Sequence, residues 1–126
     1  MASALLAPGI LARQRRSEVR GQIEAVLAER SFAPVFQPVV DLATGEPAGF
    51  EALTRFADGI RPDRRFADAD AVGLGLELEV ACLEAAVRAS AALPPGAFLS
   101  LNTSPELLLQ GDRLRACLRA ATRRRF

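Results

Sequence analysis

The sequence predicts an α/β domain with a mixed sheet, on three observations. A β-branched and aromatic run at Val35–Val40 is followed, after a short turn, by a second strand-like run at Glu46–Phe56. Beyond that pair, helical and strand patterns alternate, which is the signature of parallel strands in an α/β sheet. Half of the 126 residues are hydrophobic, a quarter are charged and the net charge is +1, a globular composition.

Residues 1 to about 16 read as a frayed leader. They are apolar from Met1 to Ala12, broken by Pro8-Gly9, with Arg13, Arg15 and Arg16 after the apolar run, the reverse of a secretory signal. From Ser17, the spacing of Val19, Ile23, Val26 and Leu27 predicts a helix that ends at Arg30-Ser31. Pro34 opens the first strand, and Pro38 inside it demands an edge or end position because proline cannot donate to a ladder. Asp41-Leu42-Ala43-Thr44-Gly45 is turn chemistry. So short a connection joins antiparallel neighbours, so the two strands form a hairpin.

Ala57–Asp70, rich in Asp, Gly, Pro and Arg, reads as a loop. Two helical segments follow, a short one near Ala67–Val72 and a longer one from about Leu76 to Ala92. Leu76, Val80, Leu83 and Val87 give the longer one its apolar stripe, and Pro94-Pro95-Gly96 stops it. Phe98–Asn102 is a third short strand. Ser104-Pro105-Glu106 starts a helix, with Ser as N-cap and Pro at the first helical position. Gly111-Asp112 breaks it, Arg113–Thr122 forms a last helix, and Arg123-Arg124-Arg125 reads as a solvated end.

All 16 basic residues are Arg, and the chain has no Lys, His, Trp or Tyr. A histidine base, a Ser-His-Asp triad, a Schiff-base lysine and a His-ligated zinc are therefore excluded within these residues. Carboxylates, amides, hydroxyls, arginines and a borrowed metal remain. Cys82 and Cys117 sit in apolar helical patterns and read as small core residues rather than a disulfide. The near-neutral charge gives no basis for nucleic-acid binding. No apolar stretch approaches the roughly 20 residues of a membrane helix, and the expected location is the cytoplasm.

On the second strand Glu51, Leu53 and Arg55 share a face by strand alternation. Two readings stand side by side: a surface ion pair of little energetic weight, or a carboxylate and a phosphate-shaped guanidinium fork aimed at a ligand. Asn102, at the end of the third strand, is either turn chemistry or part of a site at the C-terminal ends of parallel strands. Glu51 and Asn102 supply hard oxygen atoms of the kind that Mg or Mn accepts. Gln37 adds an amide.

Four ordered segments carry a resemblance. Phe36-Gln37-Pro38-Val39-Val40-Asp41-Leu42 with Thr44-Gly45, then Gly49-Phe50-Glu51-Ala52-Leu53-Thr54-Arg55-Phe56, look like the opening of an EAL domain, whose naming tripeptide is Glu51-Ala52-Leu53. Phe66-Ala67-Asp68-Ala69-Asp70 with Gly73-Leu74, running into the helix around Glu79 to Ala86, and Leu99-Ser100-Leu101-Asn102-Thr103-Ser104-Pro105, continue the match. It spans residues 32 to about 122, or two-fifths of a barrel of about 250 residues.

The resemblance implies a TIM-like (β/α)8 barrel whose first strand is antiparallel to the rest. It also implies hydrolysis of the bacterial second messenger cyclic di-GMP to pGpG, with water activated at a two-metal Mg or Mn site. By motif match, Glu51 and Asn102 are metal ligands, Gln37 and Arg55 contact the dinucleotide, and Leu53 packs near a base.

Family members complete the site with a Glu, two adjacent Asp and a second Glu from later strands, and they use a Lys to help position the water. None of those segments lies within these 126 residues. The expected organisation is a leader and N-terminal helix over 1–31 and a partial EAL domain over 32–126, truncated before the later barrel strands and inactive as a phosphodiesterase by itself. The alternative is a non-catalytic, degenerate EAL module that binds cyclic di-GMP, a protein partner or a second copy of itself through the open edge of the third strand.

Overall fold

The computed structural model of this chain describes residues 2–121; the Arg123-Arg124-Arg125 run lies outside the described residues. A single three-stranded sheet has the order β1 (Phe32–Val40), β2 (Pro47–Phe56), β3 (Phe98–Leu101). β1 and β2 are antiparallel, with Gln37 opposite Glu51 and Val35 opposite Leu53, and the register slips between Val39 and Val40. The Asp41 carboxylate accepts the Ala43 N–H at 2.8 Å, and Gly45 takes the left-handed φ of 73° that closes the turn. Pro38 thus sits on an edge strand, as its missing donor requires. β3 runs parallel to β2, with Glu51 opposite Ser100.

Around the sheet lie α1 (Ala2–Glu29), α2 (Pro62–Ala71), α3 (Gly75–Ala89), a 3-10 turn at Ser90–Ala92, α4 (Pro105–Leu109) and α5 (Gly111–Ala121). Two of these differ from the sequence reading. The first helix begins at Ala2 rather than Ser17, so the supposed frayed leader is helical. Pro8 withdraws one backbone donor and Gly9 costs about 1 kcal/mol, but the surrounding Ala, Leu and Arg are strong helix formers. Side chains 9–18 are exposed along this outer half.

The second difference is the stretch read as a loop to Asp70, which turns helical at Pro62. Proline suits the first helical position, and Asp63 favours the helix's positive end.

One face of β2 is covered. Phe56 packs with Ile23 and Val26 of α1, Ala69 and Val72 of α2, and Leu78 and Cys82 of α3. Its ring meets Phe66 edge to face at 5.7 Å. A second cluster joins Leu83 of α3 to Leu107 of α4 and Cys117 of α5. Both cysteines are free thiols in this core, as their pattern predicted. The burial of Cys82 pushes its pKa up to about 12, against a lowering by the Thr54 hydroxyl. Alternation turns Glu51, Leu53 and Arg55 to the opposite face, which none of the described helices covers.

Candidate functional site

All five residues singled out from the sequence fall on that uncovered face. Gln37 and Glu51 are cross-strand partners, Leu53 is level with Val35, and Arg55 with Ala33. Asn102 is the first residue past β3, one step beyond the Ala52–Leu101 pair. Its Nδ2 donates to Glu51 Oε1 at 3.1 Å, a bond that bridges 51 positions of sequence. The structure therefore joins the two predicted oxygen donors directly and sets Gln37 beside them.

Arg55 stands apart from this pair. The surface ion pair offered as its plain reading does not form: four extended steps of the strand put its Cα about 13 Å from that of Glu51. Arg55 is exposed and has no ion-pair partner among the described residues. A cleft of ≈ 190 Å³ at the strand ends is lined by Leu53, Arg55, Asn102 and Glu79, among others. A larger one of ≈ 580 Å³ opens on the far side of Asn102, toward Ser104, Glu106 and Asp70.

Two groups were given no role from the sequence. Glu79 of α3 accepts from the Ser104 backbone N–H at 2.5 Å and from Ser104 Oγ at 2.6 Å. Ser104 Oγ in turn accepts from the Leu107 N–H at 3.2 Å, as an N-cap should. The cap was legible in sequence; its partner 25 residues upstream carried no local signal. The second group is Arg65, buried in α2, whose guanidinium meets Asp58 and Gln22. That bond to Arg65, with the Ile60 N–H second, holds the Asp58 carboxyl below its ordinary pKa.

The oxygen donors fit a hard divalent ion in kind but not in number. Among the described residues, no three His, Cys, Asp or Glu side chains gather into a group that could hold a metal. No helix among the described residues is long and apolar enough to cross a membrane.

The EAL domain family model matches residues 20–125. No curated protein matches the sequence. Among solved structures, the Xanthomonas citri FimX EAL domain in complex with c-diGMP superposes with a TM-score of 0.63 at 17% identity, over 88% of this chain and 47% of that one. The EAL enzyme Bd1971, in its cGMP-bound form, superposes with a TM-score of 0.65 at 17% identity, over 94% of this chain and 39% of that one. The chain thus spans less than half the length of these two solved chains. The hairpin and the strand–helix units after it form the N-terminal portion of a TIM-like (β/α)8 barrel whose first strand is antiparallel. With its signature tripeptide on β2 and its asparagine motif after β3, the chain belongs to the EAL domain family.

Proposed function

We propose that this chain is the N-terminal portion of a cyclic di-GMP phosphodiesterase, an enzyme that hydrolyses the dinucleotide to pGpG in bacterial signalling, and that residues 1–126 alone do not turn it over. The carrying observation is the Asn102–Glu51 hydrogen bond, which brings two distant family motifs to one point beside Gln37. Arg55 leaves its guanidinium fork free to take a phosphate oxygen, and Leu53 offers apolar surface to a base. Glu51 and Asn102 would give two of the oxygen donors for Mg or Mn, the group that activates water in this reaction class. In this reading 1–31 precede the domain proper, 32–126 form its first part, and the protein works in the cytoplasm.

Incubating purified 1–126 with cyclic di-GMP and Mg or Mn, while following pGpG, tests it. No product is expected. Turnover abolished by Glu51→Ala would refute the claim that these residues are incomplete.

A second reading is favoured by a different observation. Val35, Val39 and Phe98 are exposed on the same face as the site, and among the described residues no strand pairs with the outer edge of β3. In this reading the chain is a non-catalytic module that binds cyclic di-GMP or associates through that edge with a protein partner, including a second copy. Calorimetric titration with cyclic di-GMP and sedimentation velocity separate the two versions. Absence of heat at high micromolar ligand removes the first, and a monomer at all concentrations removes self-association.

A further inference from the structure

We propose that Glu79, to which the family resemblance assigns no role, is the positioning residue that sets where Asn102 stands. The inference rests on the reading that Asn102 and Glu51 form the ligand-facing end of the site. Asn102 follows the last ladder pair of β3, so no strand pairing holds its backbone. The segment from Asn102 to Ser104 is instead pinned by side chains at both ends. At one end, Asn102 Nδ2 donates to Glu51 on β2. At the other, both oxygens of the Glu79 carboxylate are engaged, one by the Ser104 N–H and one by its hydroxyl.

The two anchors differ in firmness. The Asn102 end is exposed to water, where a hydrogen bond contributes little. The Glu79 bonds are short, charge-assisted and partly buried. Glu79 is carried on the helix turn that also holds the fully buried Leu78 and the core residue Cys82, so its backbone is fixed by packing. Ser104 Oγ gives its one proton to Glu79 and accepts from Leu107, whose side chain is likewise fully buried. Asn102 is two residues from Ser104, a span of about 7 Å at most. The core thus dictates the position of Asn102 through Glu79. Without Glu79, Ser104 still caps α4, but the segment loses its tie to α3.

Asn102 is the chain's single asparagine, so its side-chain amide can be selectively labelled and followed by NMR on the full chain. In Glu79→Gln, the Asn102 Nδ2 proton pair is expected to move to its random-coil position and lose its contact to Glu51, while the methyl signals of Leu78 stay in place. Ser104→Ala should reproduce that loss in part, and Ser104→Thr, which keeps the hydroxyl, should restore the wild-type pair. If Glu79→Gln unfolds the chain, the Ser104→Ala and Ser104→Thr comparison decides alone. An Asn102 pair that ignores Glu79→Gln in a folded chain, or that is equally perturbed by Ser104→Thr and Ser104→Ala, overturns the proposal.

Cyclic di-GMP titration then separates this inference from the function it rests on. Where the wild type binds, Glu79→Gln should bind about tenfold more weakly, the effect typical of residues that orient a contacting side chain. An unchanged affinity counts against positioning. A wild type that does not bind, with an Asn102 amide that answers to Glu79, overturns the ligand reading and upholds the positioning.

Discussion

Arg65 offers the sharpest test of how the strand-to-helix connection next to the site is held. Its side chain is 6% exposed; Nε and Nη2 both donate to Asp58 Oδ2, at 3.1 and 2.5 Å, and Nη1 donates to Gln22 Oε1 at 3.1 Å. Asp68 Oδ2 lies 3.7 Å from Nη1. One cation therefore ties α1, α2 and the loop after β2. The two ways of breaking it are unequal.

Arg65→Met keeps the apolar stem and leaves two carboxylates, 35% and 28% exposed, that can turn to water. The cost is the lost charge-assisted bonds, about 2 kcal/mol after allowance for solvent. Asp58→Ala leaves a buried guanidinium with only Gln22 and Asp68. An uncompensated buried charge costs about 3–5 kcal/mol, and the remaining partners bring this to about 3. Urea unfolding reads both, with a slope of about 2 kcal/mol per M giving midpoint losses of about 1 M and 1.5 M. Acid supplies a further check. Because the folded pKa of Asp58 lies below the ordinary 3.8, its contribution is complete above that value and is lost as pH falls through the lowered one. Arg65→Met should flatten that acid limb. A larger loss for Arg65→Met than for Asp58→Ala would refute the reasoning.

Two further outcomes follow from close packing. A Cβ on Gly49 would come within 2.5 Å of the Phe98 ring on the neighbouring strand, so Gly49→Ala should cost about 1–2 kcal/mol; in a Phe98→Ala background, urea unfolding should show that cost nearly vanish. At a pKa of about 12 rather than 9.0, Cys82 has about a thousandfold less thiolate at pH 8. A thiol reagent should leave it untouched in the folded chain and react with both cysteines in guanidinium; rapid native labelling of Cys82 would contradict the burial assigned to it.

Signals that act over a few residues were readable in the sequence. The hairpin followed from the Asp41–Gly45 turn between two strand-like runs, and the edge position of β1 from Pro38. The Ser104 cap followed from a serine before proline. Signals that depend on distant partners were not. α3 carries its predicted stripe of Leu76, Val80 and Leu83 toward α4 and α5, but it buries Leu78 and Cys82 as well, against α1 and α2. A helix wedged between two layers has no single face, and a one-stripe pattern cannot show this. Arg65 looked like one more charge in a polar stretch, because its burial depends on Gln22, 43 positions upstream. The site was half legible. Alternation placed Glu51, Leu53 and Arg55 on one face, while the Glu79 support required the fold.

The two faces of the sheet have a consequence for reading mutations. Phe56 and the helices form the core on one face, and Gln37, Glu51, Arg55 and Asn102 stand on the other, where all but the half-buried Glu51 are exposed. On the proposed reading, stability and ligand contact therefore draw on different side chains. Gln37→Ala and Arg55→Ala remove no core contact and should each change unfolding free energy by no more than about 0.5 kcal/mol. Glu51→Ala adds the loss of one water-accessible hydrogen bond and should stay near 1 kcal/mol. Leu78→Ala, at a fully buried position, should cost about 3–5 kcal/mol. Urea midpoints measured on these four variants check the division. A loss above 2 kcal/mol for Arg55→Ala would mean that the uncovered face carries folding energy after all. Should the division hold, any weakening of cyclic di-GMP binding in the Gln37 or Arg55 variant reports a lost contact, because the sheet that presents the site remains intact.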